Sequence, residues 1–124
     1  MKIGIDLDNT ITASSESVRF FRVLAHLLRS EAEIHIVTAR EPGTDEAVKA
    51  ELREMGIEFD FIAITANKKR YVEDNGITIF FENTDEYLLN VPEAVLVMKV
   101  REPGNFDFAA KKWIGSSKTT RMIE

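Results

Sequence analysis

Ile3-Gly4-Ile5-Asp6-Leu7-Asp8-Asn9-Thr10 is the stretch that decides how this chain is read. An apolar run leaves the N-terminus and stops at two aspartates, two positions apart. Alternate residues of a strand face the same way, so Asp6 and Asp8 would be neighbours if the strand ran straight on. Two adjacent carboxylates repel, and one takes up a proton unless a cation intervenes. The stretch therefore predicts a divalent metal here and an aspartate that does chemistry.

Outward from it, residues 2–7 read as a buried strand. The small polar residues from Asn9 to Ser15 suit a loop, and Ser14 or Ser15 can cap a helix over 16–29. Phe20, Phe21, Val23, Leu24, Leu27 and Leu28 give that helix one apolar face, and the two phenylalanines read as core. Strands follow over 33–38, 59–65, 77–81 and 94–100. Helices are predicted over 45–55, closed by Gly56, and over about 68–74, closed by Asn75-Gly76. That Asn-Gly pair is not read as a hairpin turn, because Lys68 to Asp74 is too polar for a core strand. Alternating strands and helices imply a parallel sheet with helices on both faces. The expectation is an α/β protein, a Rossmann-like three-layer sandwich with a five-stranded, mainly parallel sheet. Residues 1–124 form one domain, with a core over about 2–100 and a tail over 101–124. In the tail, Phe106, Phe108 and Trp113 are expected to fold back over an edge of the core.

The 124 residues fit one domain with a real core. A net charge of −5 gives no nucleic-acid signature. It leaves room for a small phosphorylated substrate, because a metal or a lysine inverts the local field. The absence of cysteine rules out disulfides and thiolate chemistry. No apolar run approaches the roughly 18 residues that span a bilayer, and a strand starting at Lys2 leaves no room for a signal peptide. The expected location is the cytoplasm, with no membrane partner.

Open parallel sheets place their ligands beyond the carboxyl ends of the strands, where strand order reverses. The polar outliers of this chain fall there. Asp6 and Asp8 end the first strand, and Thr38 ends the second. Lys68 and Lys69 follow the third, and Glu82, Asn83 and Asp85 end the fourth. Together they are the residue types of a phosphate-and-metal site.

From Lys2 to about Asp85 the pattern resembles the haloacid dehalogenase-like (HAD) phosphohydrolase superfamily. Asp6-Leu7-Asp8-Asn9-Thr10 meets its Asp-x-Asp-x-Thr motif, Ile36-Val37-Thr38 its second, and Lys68 or Lys69 its third. Lys68 fits the family spacing better. The fourth motif is an acidic pair, and Glu82-Asn83 departs from it. A neutral amide binds a hard cation less strongly than a carboxylate, so Asn83→Asp is expected to raise metal affinity. Asp85 is a candidate for the missing charge.

The resemblance implies a Mg²⁺-dependent phosphatase that hydrolyses a phosphate monoester through an aspartyl-phosphate. Asp6 would be the nucleophile and Asp8 the general acid and base. Mg²⁺ would be held by Asp6, the Asp8 carbonyl, Glu82 and Asn83. Thr38, Lys68 and the backbone near Asn9 would bind the transferring oxygens. Arg40, two residues past Thr38, reads equally as a substrate ligand or a solvated surface arginine. No gap holds a cap domain, so the substrate is either large or extended, or a second subunit lends a lid. Two other readings stand beside this one. One is a weakly active or inactive member kept as a binding module. The other is a receiver-type signalling domain, disfavoured because the third strand ends in Ile64-Thr65 with no aspartate.

Overall fold

The computed structural model describes residues 1–115. The part of the expected tail beyond Gly115 lies outside the described residues. Five strands, β1 (Lys2–Ile5), β2 (Glu33–Thr38), β3 (Phe61–Ile64), β4 (Ile79–Glu82) and β5 (Leu96–Lys99), form one sheet in the order β3-β2-β1-β4-β5. Every neighbouring pair is parallel. Helices α1 (Ser15–Leu28), α2 (Asp45–Met55), α3 (Lys68–Asp74) and the single turn α4 (Asp85–Leu88) follow the first four strands in order.

Local chemistry sets the helix ends. Ser14 accepts from the Ser17 amide, and Ser17 accepts from the Ser14 amide, a reciprocal cap that satisfies two N–H groups at the start of α1. α2 stops at Gly56, whose φ of +73° is open to glycine at little cost. Asn67 caps α3 by accepting from the Arg70 amide, and this fixes where Lys68 enters the helix.

The sheet buries both faces. Ile3, Ile5, Ile34 and Ile36 pack beneath Phe21 and Ala25 of α1 and Val48 and Leu52 of α2. Val37 and Phe80 face the other way, against Val72 of α3 and Ile77. Strands covered on both sides carry no polar alternation, which explains the unbroken apolar runs. Strand order reverses between β1 and β4, so Asp6 and Glu82 leave the sheet side by side.

Gly4 pairs with Phe80 across the β1–β4 ladder. A Cβ at Gly4 would lie 3.0 Å from Phe80 Cδ1 and 3.3 Å from Ile77 Cγ2. The Phe80 ring is fully buried and has nowhere to retreat. Gly4→Ala is therefore expected to destabilise by about 1–3 kcal/mol, read as a lower urea midpoint at unchanged slope.

The structure differs from the sequence reading in α1 and in β1. Phe20, Val23 and Leu27, expected on the apolar core face of α1, are 53%, 48% and 68% exposed, so only Phe21 of the two phenylalanines is core. The first strand ends at Ile5. Asp6 keeps one ladder bond, its N–H to the Phe81 carbonyl, and then the chain turns through Asn9 at φ +60°. Asp6 and Asp8 thus do not share a strand face. In the tail, Phe106, Phe108 and Trp113 cluster with each other across a small antiparallel hairpin, β6 (Phe106–Asp107) and β7 (Lys112–Trp113). Lys99 and Arg101 lie over these rings, and Phe108 and Trp113 stay half exposed. The aromatics therefore lie at the end of β5, an edge strand of the sheet. Among the described residues no helix is long and apolar enough to cross a membrane.

Candidate active site

The centre is a buried lysine between two carboxylates. Lys68 Nζ donates to Asp6 Oδ1 at 2.7 Å and to Glu82 Oε1 at 2.6 Å. Three elements meet here: the end of β1, the start of α3 and the end of β4. Lys68 is 2% exposed and Glu82 is fully buried, so neither charge has bulk water to stabilise it. Lysines and glutamates are almost never this buried unless paired. The Tyr87 ring lies 4.4 Å from the same ammonium.

The other oxygens of the pair are equally committed. Glu82 Oε2 accepts from the Asn83 and Thr84 amides, at 2.9 and 3.1 Å. Glu82 was expected as a metal ligand. Here it gives one oxygen to Lys68 and the other to the backbone, which suits it to hold the lysine. Asp6 Oδ2 accepts from the Thr10 hydroxyl at 2.8 Å, and that hydroxyl stands 3.2 Å from Asn83 Oδ1.

Charge and burial shift the titration of this cluster. Burial pushes the Glu82 carboxyl up to about 7, the Asp6 charge adds to the push, and Lys68 pulls against both. Burial alone would lower Lys68, but the charges and hydrogen bonds of Asp6 and Glu82 outweigh it and hold the ammonium above its ordinary value. The raised Glu82 makes a checkable prediction for the metal-free protein. Its ¹³C carboxyl resonance should titrate near pH 7 rather than near 4.5. A folded-state value above the unfolded one means stability from this group is full below about 4.5 and is lost as pH rises through 7.

Thr38 ends β2 beside β1, at the same sheet edge. Its hydroxyl is buried and has no hydrogen-bond partner. A buried hydroxyl left unpaired is costly, which singles Thr38 out at this edge.

Asp8, Asn9 and Arg40 lie elsewhere, on the exposed rim. Arg40 grips Asp8 with two hydrogen bonds, 2.7 Å from Nη2 and 3.0 Å from Nε, and it also binds Glu51 of α2. The hydrogen bonds to Asp8 and Glu51 hold the guanidinium firmly protonated. Asn9 is exposed, and its backbone amide donates to the Thr12 hydroxyl. Lys69 reaches Glu73 on the surface of α3, and Asp85 pairs with Lys99 at 2.6 Å. Of the two candidate lysines, Lys68 is therefore the one in the cluster, and the Asp85 carboxylate is turned to β5.

Sequence reasoning missed Glu102 and Asn105. Glu102 Oε1 accepts from Asn83 Nδ2 at 3.0 Å, and Asn105 Nδ2 donates to the Asn83 carbonyl at 2.7 Å. Both residues are buried. The available signal was their position: a Glu and an Asn flanking Pro103-Gly104 just past the fifth strand, at the edge where every other strand delivers its polar residues.

The donor set is compatible with a hard divalent cation. Asp6 Oδ2 and Asn83 Oδ1 converge on the single Thr10 hydroxyl, and both are oxygen donors of the kind Mg²⁺ takes. Among the described residues no group of three or more His, Cys, Asp or Glu side chains is placed to hold a metal. A cation here would depend on Asp6, the Asn83 amide, backbone, water and the phosphate itself, a composition Mg²⁺ accepts.

No protein-family model matches the sequence, and no curated protein matches it. A chain in a solved structure of a Pnkp1/Rnl/Hen1 complex is similar over 82% of this chain, at 13% identity and a TM-score of 0.61. This chain spans 46% of that one, about half its length. The likeness is one of fold: the parallel α/β sheet that carries Asp6, Lys68 and Glu82 to one edge.

Proposed function

We propose that this chain is a phosphatase of the HAD-like kind, hydrolysing a phosphate monoester through an aspartyl-phosphate on Asp6. The observation that carries the reading is Asp6 itself, a carboxylate buried at the strand-order reversal with Lys68 on one oxygen and Thr10 on the other. Such a carboxylate is held in one orientation, as a positioned nucleophile requires.

Lys68 and the unpartnered Thr38 hydroxyl would bind the equatorial oxygens of the phosphoryl group as charge develops there. Glu82 fixes Lys68 in place. Asp8 would protonate the leaving alcohol and then take a proton from the attacking water. It lies on the rim beside the entrance, so it must first exchange its Arg40 contact for the substrate. Mg²⁺, when bound by Asp6, the Asp8 carbonyl and Asn83, would screen the nucleophile from the phosphate charge.

The connections around the site are short. Asp6 to Ser14 joins β1 to α1, and Thr65 to Asn67 joins β3 to α3. A shallow cavity of about 180 Å³ beside Lys68, lined by Asn67, Lys69, Glu86 and Tyr87, is open to solvent. This form suits an extended or macromolecular phosphate ester, or a site completed by a second subunit.

A second reading is a binding module with little turnover. The Arg40 grip on Asp8 favours it, because both oxygens of the carboxylate that would serve as acid are already engaged by the guanidinium. One measurement separates them. Mg²⁺-dependent phosphate release from an aryl phosphate is expected, with beryllium fluoride labelling at Asp6 by peptide mapping. Folded protein that turns over nothing across a broad phosphoester panel would overturn the phosphatase reading.

A further inference from the structure

We propose that Glu102 is a positioning residue: it sets the amide of Asn83, and so makes the loop from Arg101 to Phe106 part of the site. The inference rests on the phosphatase reading for its purpose, but its geometry stands alone.

An asparagine amide has two faces, a carbonyl that accepts and an NH₂ that donates. Which one points at Asp6 decides whether Asn83 offers an oxygen or a repelling N–H to a cation. Asn83 itself carries nothing that fixes the choice. Glu102 does. Its Oε1 stands 3.0 Å from Asn83 Nδ2, and an acceptor-only carboxylate tolerates no carbonyl there. Asn83 Oδ1 is thereby turned to Thr10 and Asp6.

Glu102 is held in turn. Its Oε2 accepts from the Gly104 amide at 2.8 Å, and its own amide donates to Asn105 Oδ1 at 2.9 Å. Asn105 is fully buried and ties the Asn83 and Val100 carbonyls together through Nδ2, at 2.7 and 2.8 Å. These bonds run inward and meet at Asn83, from its side-chain amide and from its backbone carbonyl. A loop built only to close β5 would not need a buried carboxylate aimed at the end of β4.

The arrangement changes the expectation for Asn83→Asp. An aspartate there does not simply add a ligand. It sets two acceptor-only groups about 3 Å apart, where the amide now bridges them. Glu102→Gln removes the constraint: a glutamine that accepts from Gly104 presents its NH₂ to position 83, so the Asn83 amide turns its carbonyl to residue 102 and its N–H to the cation side. The double variant Asn83→Asp with Glu102→Gln restores the contacts that join positions 83, 102 and 104. The glutamine NH₂ donates to the carboxylate introduced at position 83, its carbonyl accepts from Gly104, and the total charge is unchanged.

The test uses the full chain and two readouts. In metal-free protein, Asn83→Asp should lower the urea midpoint, and the double variant should recover most of the loss. Mn²⁺, followed by electron paramagnetic resonance, should bind the two single variants about 10–100-fold more weakly than the parent, as supporting residues around metal ligands typically show. The double variant should bind at least as well as the parent. Additive losses in the double variant overturn the proposal. So does Mn²⁺ affinity that ignores the substitutions while stability follows them, which would make the contact structural only. If the parent hydrolyses no phosphoester yet both readouts follow the expected order, the phosphatase reading falls and the positioning role of Glu102 stands.

Discussion

Asp6→Asn is expected to abolish phosphate release while leaving the fold as stable as the parent, or more so. The loss should reach about 10⁴-fold or more, as removal of a covalent nucleophile usually costs. The stability half follows from the charges. Asp6, Glu82 and Lys68 carry two negative charges and one positive in a space nearly closed to water. The Asp6 charge helps to push the Glu82 carboxyl up. Removing it balances Lys68 with Glu82 alone. The amide that replaces it still has partners: its carbonyl can accept from Lys68, and its NH₂ can donate to the Thr10 oxygen. The Thr10 proton is then free to turn to Asn83 Oδ1, already 3.2 Å away. Functional sites commonly hold such strain, and relieving it raises stability as activity falls. A melting point at or above the parent's, together with lost turnover, supports the assignment. Retained turnover would show that Asp6 is not the nucleophile. A collapsed melting point would show that its charge serves the fold instead.

Much of this site was legible because strand ends announce themselves. Thr38, Lys68, Glu82 and Asn83 each interrupt or follow an apolar run. The parallel sheet then delivers them to one edge whatever the loops do. The spacing of the family that the chain resembles put Lys68 ahead of Lys69, and one step along α3 separates their fates: one is 2% exposed, the other lies on the surface. Asp8 was not legible. Its direction depends on a left-handed turn at Asn9 and on Arg40, 32 residues away. No periodicity in residues 6–10 encodes either. Asp85 looked acidic enough to serve the site, but Lys99 on β5 takes it. Glu102 and Asn105 were legible only by position, and their contact with Asn83 was not. A Pro-Gly turn is a signal for loop geometry, and it says nothing about which distant amide the loop will clasp.

Lys68→Met should be the most damaging single change to the fold. The side chain is nearly isosteric and well suited to burial, so the loss is electrostatic rather than a cavity. Asp6 and Glu82 both hydrogen-bond the same ammonium. Without it two buried carboxylates face each other, and breaking a buried pair this way costs about 3–5 kcal/mol. Total stability for a domain is only about 5–15 kcal/mol, so the melting point should drop by something on the order of 15 °C near pH 7. The pH dependence gives the cause away. In the parent, the raised Lys68 contributes stability that is full below its unfolded value of 10.5 and is lost only as pH climbs past its higher folded value. In the variant, repelling carboxylates hold a proton more tightly folded than unfolded. Their penalty is absent below about pH 4 and grows as pH rises. Acidification should therefore narrow the gap between variant and parent. Adding Glu82→Gln to Lys68→Met should restore most of the stability at pH 7, since a buried carboxylate is removed along with its partner. It should restore no turnover, because the ammonium that would meet the equatorial phosphate oxygens is gone. Recovery of both together would show that Lys68 neutralises Asp6 and Glu82 and nothing more. Recovery of the fold alone separates the lysine that holds the sheet edge together from the lysine that binds the transferring group.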